Sequence, residues 1–189
     1  MTVCVGLECS EGVWLGFDQA YGTHEGQMRV DNKGYQLKSP EWGLGLAFTG
    51  SRHDQVGRFI LPDKLTESPP AGAASVEKWL LRHFVPALRT TFQEEHLDCA
   101  SDEEDKACPW SALVAVRGTL WALADDWTLG RHVEGFWAVG SGAAYAIGSL
   151  ASGTLDSAEA RVLSAVQIAC RYSAHCAKAP NVLPILIGK

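Results

Sequence analysis

The chain has 189 residues, 47% hydrophobic and 20% charged, and its 16 Lys and Arg against 22 Asp and Glu give a formal net charge of -6. That balance suits a soluble chain with a large apolar core, and the negative charge argues against a global basic field that would draw nucleic acid or anionic lipid. No apolar run approaches the roughly 20 residues that span a bilayer. The start lacks a basic segment followed by an apolar one, so no secretory signal is expected, and Cys4, Cys9, Cys99, Cys108, Cys170 and Cys176 read as reduced cytoplasmic thiols.

No repeat or low-complexity linker divides residues 1–189, which read as one domain. Thr2 to Leu7 and Val13 to Phe17 carry strand signals, with Glu11-Gly12 as the turn of a hairpin covered on at least one face. A second hairpin follows: Lys33, Tyr35 and Leu37 alternate with Gly34 and Gln36, and Ser39-Pro40 turns the chain into Gly43 to Phe48. The period then changes. Ser51 to Leu65 reads as a helix interrupted near its end by Pro62. Ser75 starts a stronger helix, with Val76, Trp79, Leu80, Phe84 and Leu88 at helical spacing and a kink expected at Pro86. Asp98 to Asp105 reads as a solvated charged loop, and Cys99 and Cys108 are placed to pair across it if oxidised. Strands return at Ala112 to Val116 and Leu120 to Ala124, joined by Arg117-Gly118-Thr119. Phe136 to Val139 then runs into Gly140-Ser141-Gly142. Helices are expected from Ala143 to Leu150 and from Ser157 to about His175, the second capped by Asp156 or Ser157, before a last strand from Val182 to Ile187.

Clustered strands and clustered helices disfavour a βαβ parallel sheet. Two mostly antiparallel sheets, packed together with a helix pair outside each, bury all the apolar faces. The expected fold is therefore α+β, a four-layer αββα sandwich.

Two features carry chemistry. With Met1 removed, as cytosolic processing normally does before a small residue, Thr2 would offer a hydroxyl and an α-amine on one residue. An α-amine titrates near ~7.7–8.0, so Thr2 would supply nucleophile and base together. The second feature, Gly140-Ser141-Gly142-Ala143-Ala144-Tyr145, stands between a strand and a helix like a dinucleotide fingerprint. However, Tyr145 occupies the position where close helix–strand packing wants Gly or Ala, and the preceding elements do not alternate as a Rossmann half requires.

Taken in order, these segments resemble the proteasome β-type subunits and their bacterial relatives. Thr2 to Gly6 is similar to that family's opening strand and Glu11 to Asp18 to its second, which ends in the catalytic aspartate. Lys33 to Leu37 resembles the strand with the catalytic lysine, Gly45 to Ser51 the oxyanion-hole segment, and Gly135 to Ala146 the late strand–loop–helix signature. The length suits a short bacterial homologue of the HslV type, and the Met1 to Val5 opening also resembles the Anbu type.

The resemblance implies an Ntn-hydrolase fold and a threonine-type peptidase. Thr2 Oγ would attack the scissile carbonyl while its amine takes the proton. Lys33 would favour the neutral amine, Asp18 would pair with Lys33, the Gly50 N–H would stabilise the oxyanion, and Ser141 would orient the amine. A substrate pocket would map near Ala20, Asp31, Tyr35, Phe48 and Arg52. The resemblance further implies self-assembly into single or double rings, a possible ATPase unfoldase that delivers peptide or unfolded protein, and no cofactor, metal, nucleic acid or membrane.

The sequence departs from the family pattern in two places. The interval from Asp18 to Lys33 is one residue short, and Ser173 stands where many members carry an aspartate, so a hydroxyl orients the amine without supplying charge. His175 and Cys176, adjacent and without zinc spacing, read as packing residues. Two other readings remain: an Ntn amidase acting on a small amide, and a ring-forming subunit without catalysis.

Overall fold

In a computed structural model the described residues are 2–23, 26–29, 33–38, 40–97, 110–153, 155–176 and 180–186, without the side chains of 21–23, 26–29, 40, 51, 52 and 186. Met1, Asp31, and the expected 98–105 loop with Cys99 and Cys108 lie outside them.

The first hairpin pairs β1 (Val3–Cys9) with β2 (Gly12–Phe17). Its turn falls on Ser10 and Glu11, one residue earlier than Glu11-Gly12, because Gly12 at φ 144° pairs with Cys9 and already belongs to the strand. A short hairpin that the sequence did not signal follows, β3 (Ala20–Thr23) with β4 (Gly26–Arg29). Next come β5 (Gly34–Gln36) and β6 (Leu44–Phe48), antiparallel as expected, with Lys33 just ahead of the strand.

The expected helix from Ser51 to Leu65 is two helices, α1 (Ser51–Phe59) and α2 (Leu61–Lys64), with Pro62 in the first turn of the second, where its missing N–H costs nothing. Pro86 has a different effect. Helix α3 (Ala73–Trp79) widens into a π segment, Leu80–Phe84, and continues as α4 (Val85–Glu94). The Val85 amide reaches back to the Leu80 carbonyl, so the extra residue absorbs the proline and the helix is not broken.

The second half contains β7 (Ser111–Val116), β8 (Thr119–Ala124), β9 (Leu129–Gly130) and β10 (Phe136–Gly140). Helices α5 (Ala143–Ser152) and α6 (Ala158–Tyr172) precede the last strand, β11 (Asn181–Leu186). Ser157 caps α6 by accepting the Ala160 amide at 3.1 Å.

The strands form two antiparallel sheets, ordered β10-β1-β2-β11 and β5-β6-β7-β8-β9, besides the β3–β4 hairpin. Three apolar clusters separate four layers. Leu44, Leu46, Phe48, Val114 and Val116 pack against Val56, Val76, Phe84 and Leu88 of the first helix layer. Val3, Val5 and Leu7 pack against Ala146, Val162 and Val166 of the second. Between the sheets lie Cys4, Leu15, Phe17, Leu113, Ala115, Leu120 and Ile185. Each inner strand is thus buried on both faces, which is why β1 and β7 read as continuous apolar runs without polar alternation.

The two sheets are keyed together where glycines admit side chains from across the gap. A Cβ on Gly6 would meet Leu120, one on Gly34 would meet Phe17, and one on Gly45 would meet Ile185. No helix among the described residues is long and apolar enough to cross a membrane. Gly45→Val drives a branched side chain into Ile185, and overpacking of this kind costs about 1–3 kcal/mol. Urea unfolding is expected to show that loss, with part of it recovered in the Gly45→Val/Ile185→Ala double variant.

Candidate active site

Strand ends bring the polar residues together. Thr2 immediately precedes β1, Asp18 follows β2, Lys33 precedes β5, and Ser141 follows β10. The pairing of Cys4 with Phe17 and of Val3 with Gly140 puts three of these ends side by side. Asp18 prolongs the hairpin ladder with its side chain: its amide donates to the Val3 carbonyl at 3.2 Å, and its Oδ1 accepts the Val3 amide at 3.1 Å.

That same oxygen accepts the Thr2 hydroxyl at 2.5 Å and the Lys33 ammonium at 2.5 Å. Lys33 Nζ also donates to Thr2 Oγ1. Thr2 is 1% exposed, and Asp18 and Lys33 are 0% exposed. A buried ammonium or carboxylate without its partner is strongly destabilising, so each of this pair requires the other. A positive charge beside Oγ1 is placed where it can stabilise negative charge on that oxygen, and Asp18 fixes the direction of the hydroxyl.

The backbone of Thr2 is held from β10. Its N–H donates to Ser141 Oγ at 3.2 Å, and its carbonyl accepts Ser141 Oγ at 3.2 Å and the Gly142 amide at 3.3 Å. Gly140 has φ 95°, and a Cβ there would run into the Thr2 carbonyl. The Gly140-Ser141-Gly142 loop therefore wraps the start of β1. Tyr145, in the misfit position of the dinucleotide pattern, is exposed and stacks on Tyr172 with centroids 6.2 Å apart.

Gly50 leaves β6 as the N-cap of α1. The Thr49 amide donates to the Ser111 carbonyl at 2.9 Å, the Ser111 amide donates to Thr49 Oγ1 at 2.8 Å, and the Gly50 carbonyl accepts the Asp54 amide at 2.9 Å. His53 fills the space where a Gly50 side chain would go, stacked on Trp110 with centroids 5.6 Å apart. The Cys4 thiol bridges the sheets by donating to the Phe48 carbonyl at 3.4 Å, and burial pushes its pKa far up, which keeps the proton on sulfur.

Ser173 differs from the expectation. The last helix ends at Tyr172, not His175, because Ser173 adopts an extended conformation at φ -90°, ψ 124°. Its hydroxyl accepts the His175 amide at 3.3 Å, and the group bonded to the Thr2 amide is Ser141. Between the two serines lies a residue that the sequence assigned to packing. The Cys176 sulfur occupies the space beside Gly142, and the Cys176 amide donates to the Ser173 carbonyl at 3.4 Å. Burial raises the pKa of Cys176 and pushes Cys170 up to about 12, so both stay neutral thiols at ordinary pH. Only the fold reveals this contact, since residues 142 and 176 lie far apart in the sequence.

Three of the residues expected to line a substrate pocket are buried side chains. Phe48 is fully buried against Phe92 and Trp110, Ala20 is 2% exposed, and Tyr35 is 8% exposed beneath the Arg58 guanidinium at 4.8 Å. Asp31 and the Arg52 side chain are outside the described residues.

No protein-family profile and no curated protein matches the sequence. Solved structures do match the fold. Thiobacillus denitrificans BPH superposes with a TM-score of 0.71 at 18% identity, over 99% of this chain and 98% of that one, and it has also been solved in complex with epoxomicin. Eukaryotic HslV from Trypanosoma brucei superposes with a TM-score of 0.64 at 17% identity, over 96% and 97%. Anbu from Yersinia bercovieri gives 0.69 at 14% identity, over 96% and 80%. With two antiparallel sheets between helix layers and this likeness over nearly its whole length, the chain has the proteasome-type Ntn-hydrolase fold.

Proposed function

We propose that the chain is an N-terminal threonine peptidase, acting once Met1 is removed. The observation that carries this is the Thr2 hydroxyl, buried between Asp18 and Lys33 while its own nitrogen faces Ser141. The freed amine, close to Oγ on the same residue, accepts the hydroxyl proton as Oγ adds to the scissile carbonyl, and later delivers it to the departing amine. Water then releases the acyl group from Thr2.

Lys33 stabilises charge on Oγ and disfavours protonation of the neighbouring amine, and Asp18 holds both in line. The Gly50 N–H serves the oxyanion. Ser141 orients the amine. Ala20, Asp31, Tyr35, Phe48 and Arg52 mark the side on which the acyl half of the substrate enters. In the same proposal the chain works as a homo-oligomeric ring, an assembly its likeness in fold to HslV suggests, and an ATPase delivers unfolded protein to it in the cytoplasm.

A second reading, a ring subunit without catalysis, is favoured by Ser173, which leaves the end of α6 without the expected carboxylate. Intact mass followed by an epoxyketone probe separates the two. Met1 absent and one adduct on Thr2 support the peptidase, whereas a native protein that keeps Met1 and takes no adduct is the non-catalytic subunit.

Thr2→Ala is expected to abolish the adduct and to lower peptide turnover by ~10³-fold or more, as loss of an enzyme nucleophile does, with assembly on a sizing column unchanged. Asp18→Asn leaves the Lys33 charge buried without its carboxylate. Its urea unfolding is expected to show a loss of about 3–5 kcal/mol, together with slower probe labelling.

A further inference from the structure

A cavity of about 400 Å³ opens along the sandwich edge between β10 of one sheet and β8–β9 of the other. Its walls are apolar: Leu120, Ala122, Leu123, Trp137 and Val139. His132 stacks on Trp137 with centroids 4.7 Å apart and holds that wall in place.

The two ends of the cavity differ. At one end are Val139, which leads through Gly140 to Ser141, and Ser111, doubly hydrogen-bonded to Thr49 beside Gly50. This end adjoins the candidate active site on both sheets. At the far end Arg131 is clamped by Glu8 through contacts of 2.8 and 3.1 Å, and Glu8 also accepts the Leu120 amide at 2.7 Å. Arg131 is the one cationic residue in the lining, and Glu8 cancels its charge. An occupant therefore gains nothing from carrying charge and loses its hydration.

Strand β10 is the outermost strand of its sheet, so among the described residues no strand pairs with its outer edge. An extended chain laid along that edge would satisfy the free backbone groups without regard to sequence, turning alternate side chains toward the cavity. Cys4 pairs with Val139, so the stretch from there to Glu8 is four residues. At ~3.3 Å per residue it spans about 13 Å, roughly four residues of peptide.

We propose, on the reading of Thr2 as the nucleophile, that this groove binds the leaving-group half of a peptide substrate and selects apolar residues just downstream of the cleaved bond. β1 lies between β2, which carries Asp18, and β10. A substrate whose acyl half enters on the Lys33 side therefore departs along β10.

The experiment is digestion of a reduced, carboxymethylated protein, with cut sites read by mass spectrometry, in parallel with epoxyketone labelling of Thr2. The wild type is expected to favour Leu, Phe or Val over Asp or Lys at the downstream positions by ~10-fold, the discrimination an apolar pocket typically provides. Ala122→Phe fills the groove, and Thr128→Trp blocks its rim from an exposed position that leaves the core intact. Both are expected to erase the preference while Thr2 labels at the wild-type rate. A wild type that labels but shows no downstream preference, or folded variants that keep it, overturns the groove assignment alone. A wild type that does not label at Thr2 overturns both.

Discussion

One carboxylate oxygen organises the start of this chain. Asp18 Oδ1 accepts the Thr2 hydroxyl, the Val3 amide and the Lys33 ammonium, all away from solvent. A carboxylate in so dry a place is tolerable only with such donors around it, and an ammonium there only with such an acceptor. The requirement is mutual: it ties the beginning of β1, the end of β2 and the approach to β5 to one point. The strand ladders bring these three backbone ends near, and the buried charges fix the side chains relative to one another.

The rest of the architecture serves that point from both sides. Behind the Thr2 backbone, the loop after β10 supplies Ser141 and Gly142, and the Cys176 side chain fills the space between Gly142 and the end of α6. Across the gap, the Cys4 thiol joins β1 to the Phe48 carbonyl, two residues before Gly50. Sulfur suits both positions because burial keeps these thiols protonated, as small apolar groups with a weak donor, and so adds no further charge beside Asp18 and Lys33.

The layered fold was legible because its signals are local. Hairpin turns, the change of period after Phe48 and the capping Ser157 are each read within a few residues, and their order admits few packings. Asp18, Lys33 and Ser141 were legible only as a set, by likeness of whole segments, since a single aspartate or lysine beside a strand says nothing about its partner. Features that depend on distant geometry were not readable. Cys176 meets Gly142 only because the end of α6 returns to the β10 loop. The burial of Tyr35 and Phe48 depends on how tightly the aromatic core under α1 packs. The widened turn before Pro86 is a backbone compromise that the residue pattern, helical on both sides, does not reveal.

The glycine keying between the sheets has a mechanical consequence. Leu120, Phe17 and Ile185 enter the opposite layer at three separated places, and three studs in three sockets permit neither sliding nor rotation of one layer over the other. The floor beneath Thr2 is in that sense an anvil whose faces keep a fixed separation. Changes of shape are thereby left to the loops and outer strand edges, which can move without loosening the layers behind them.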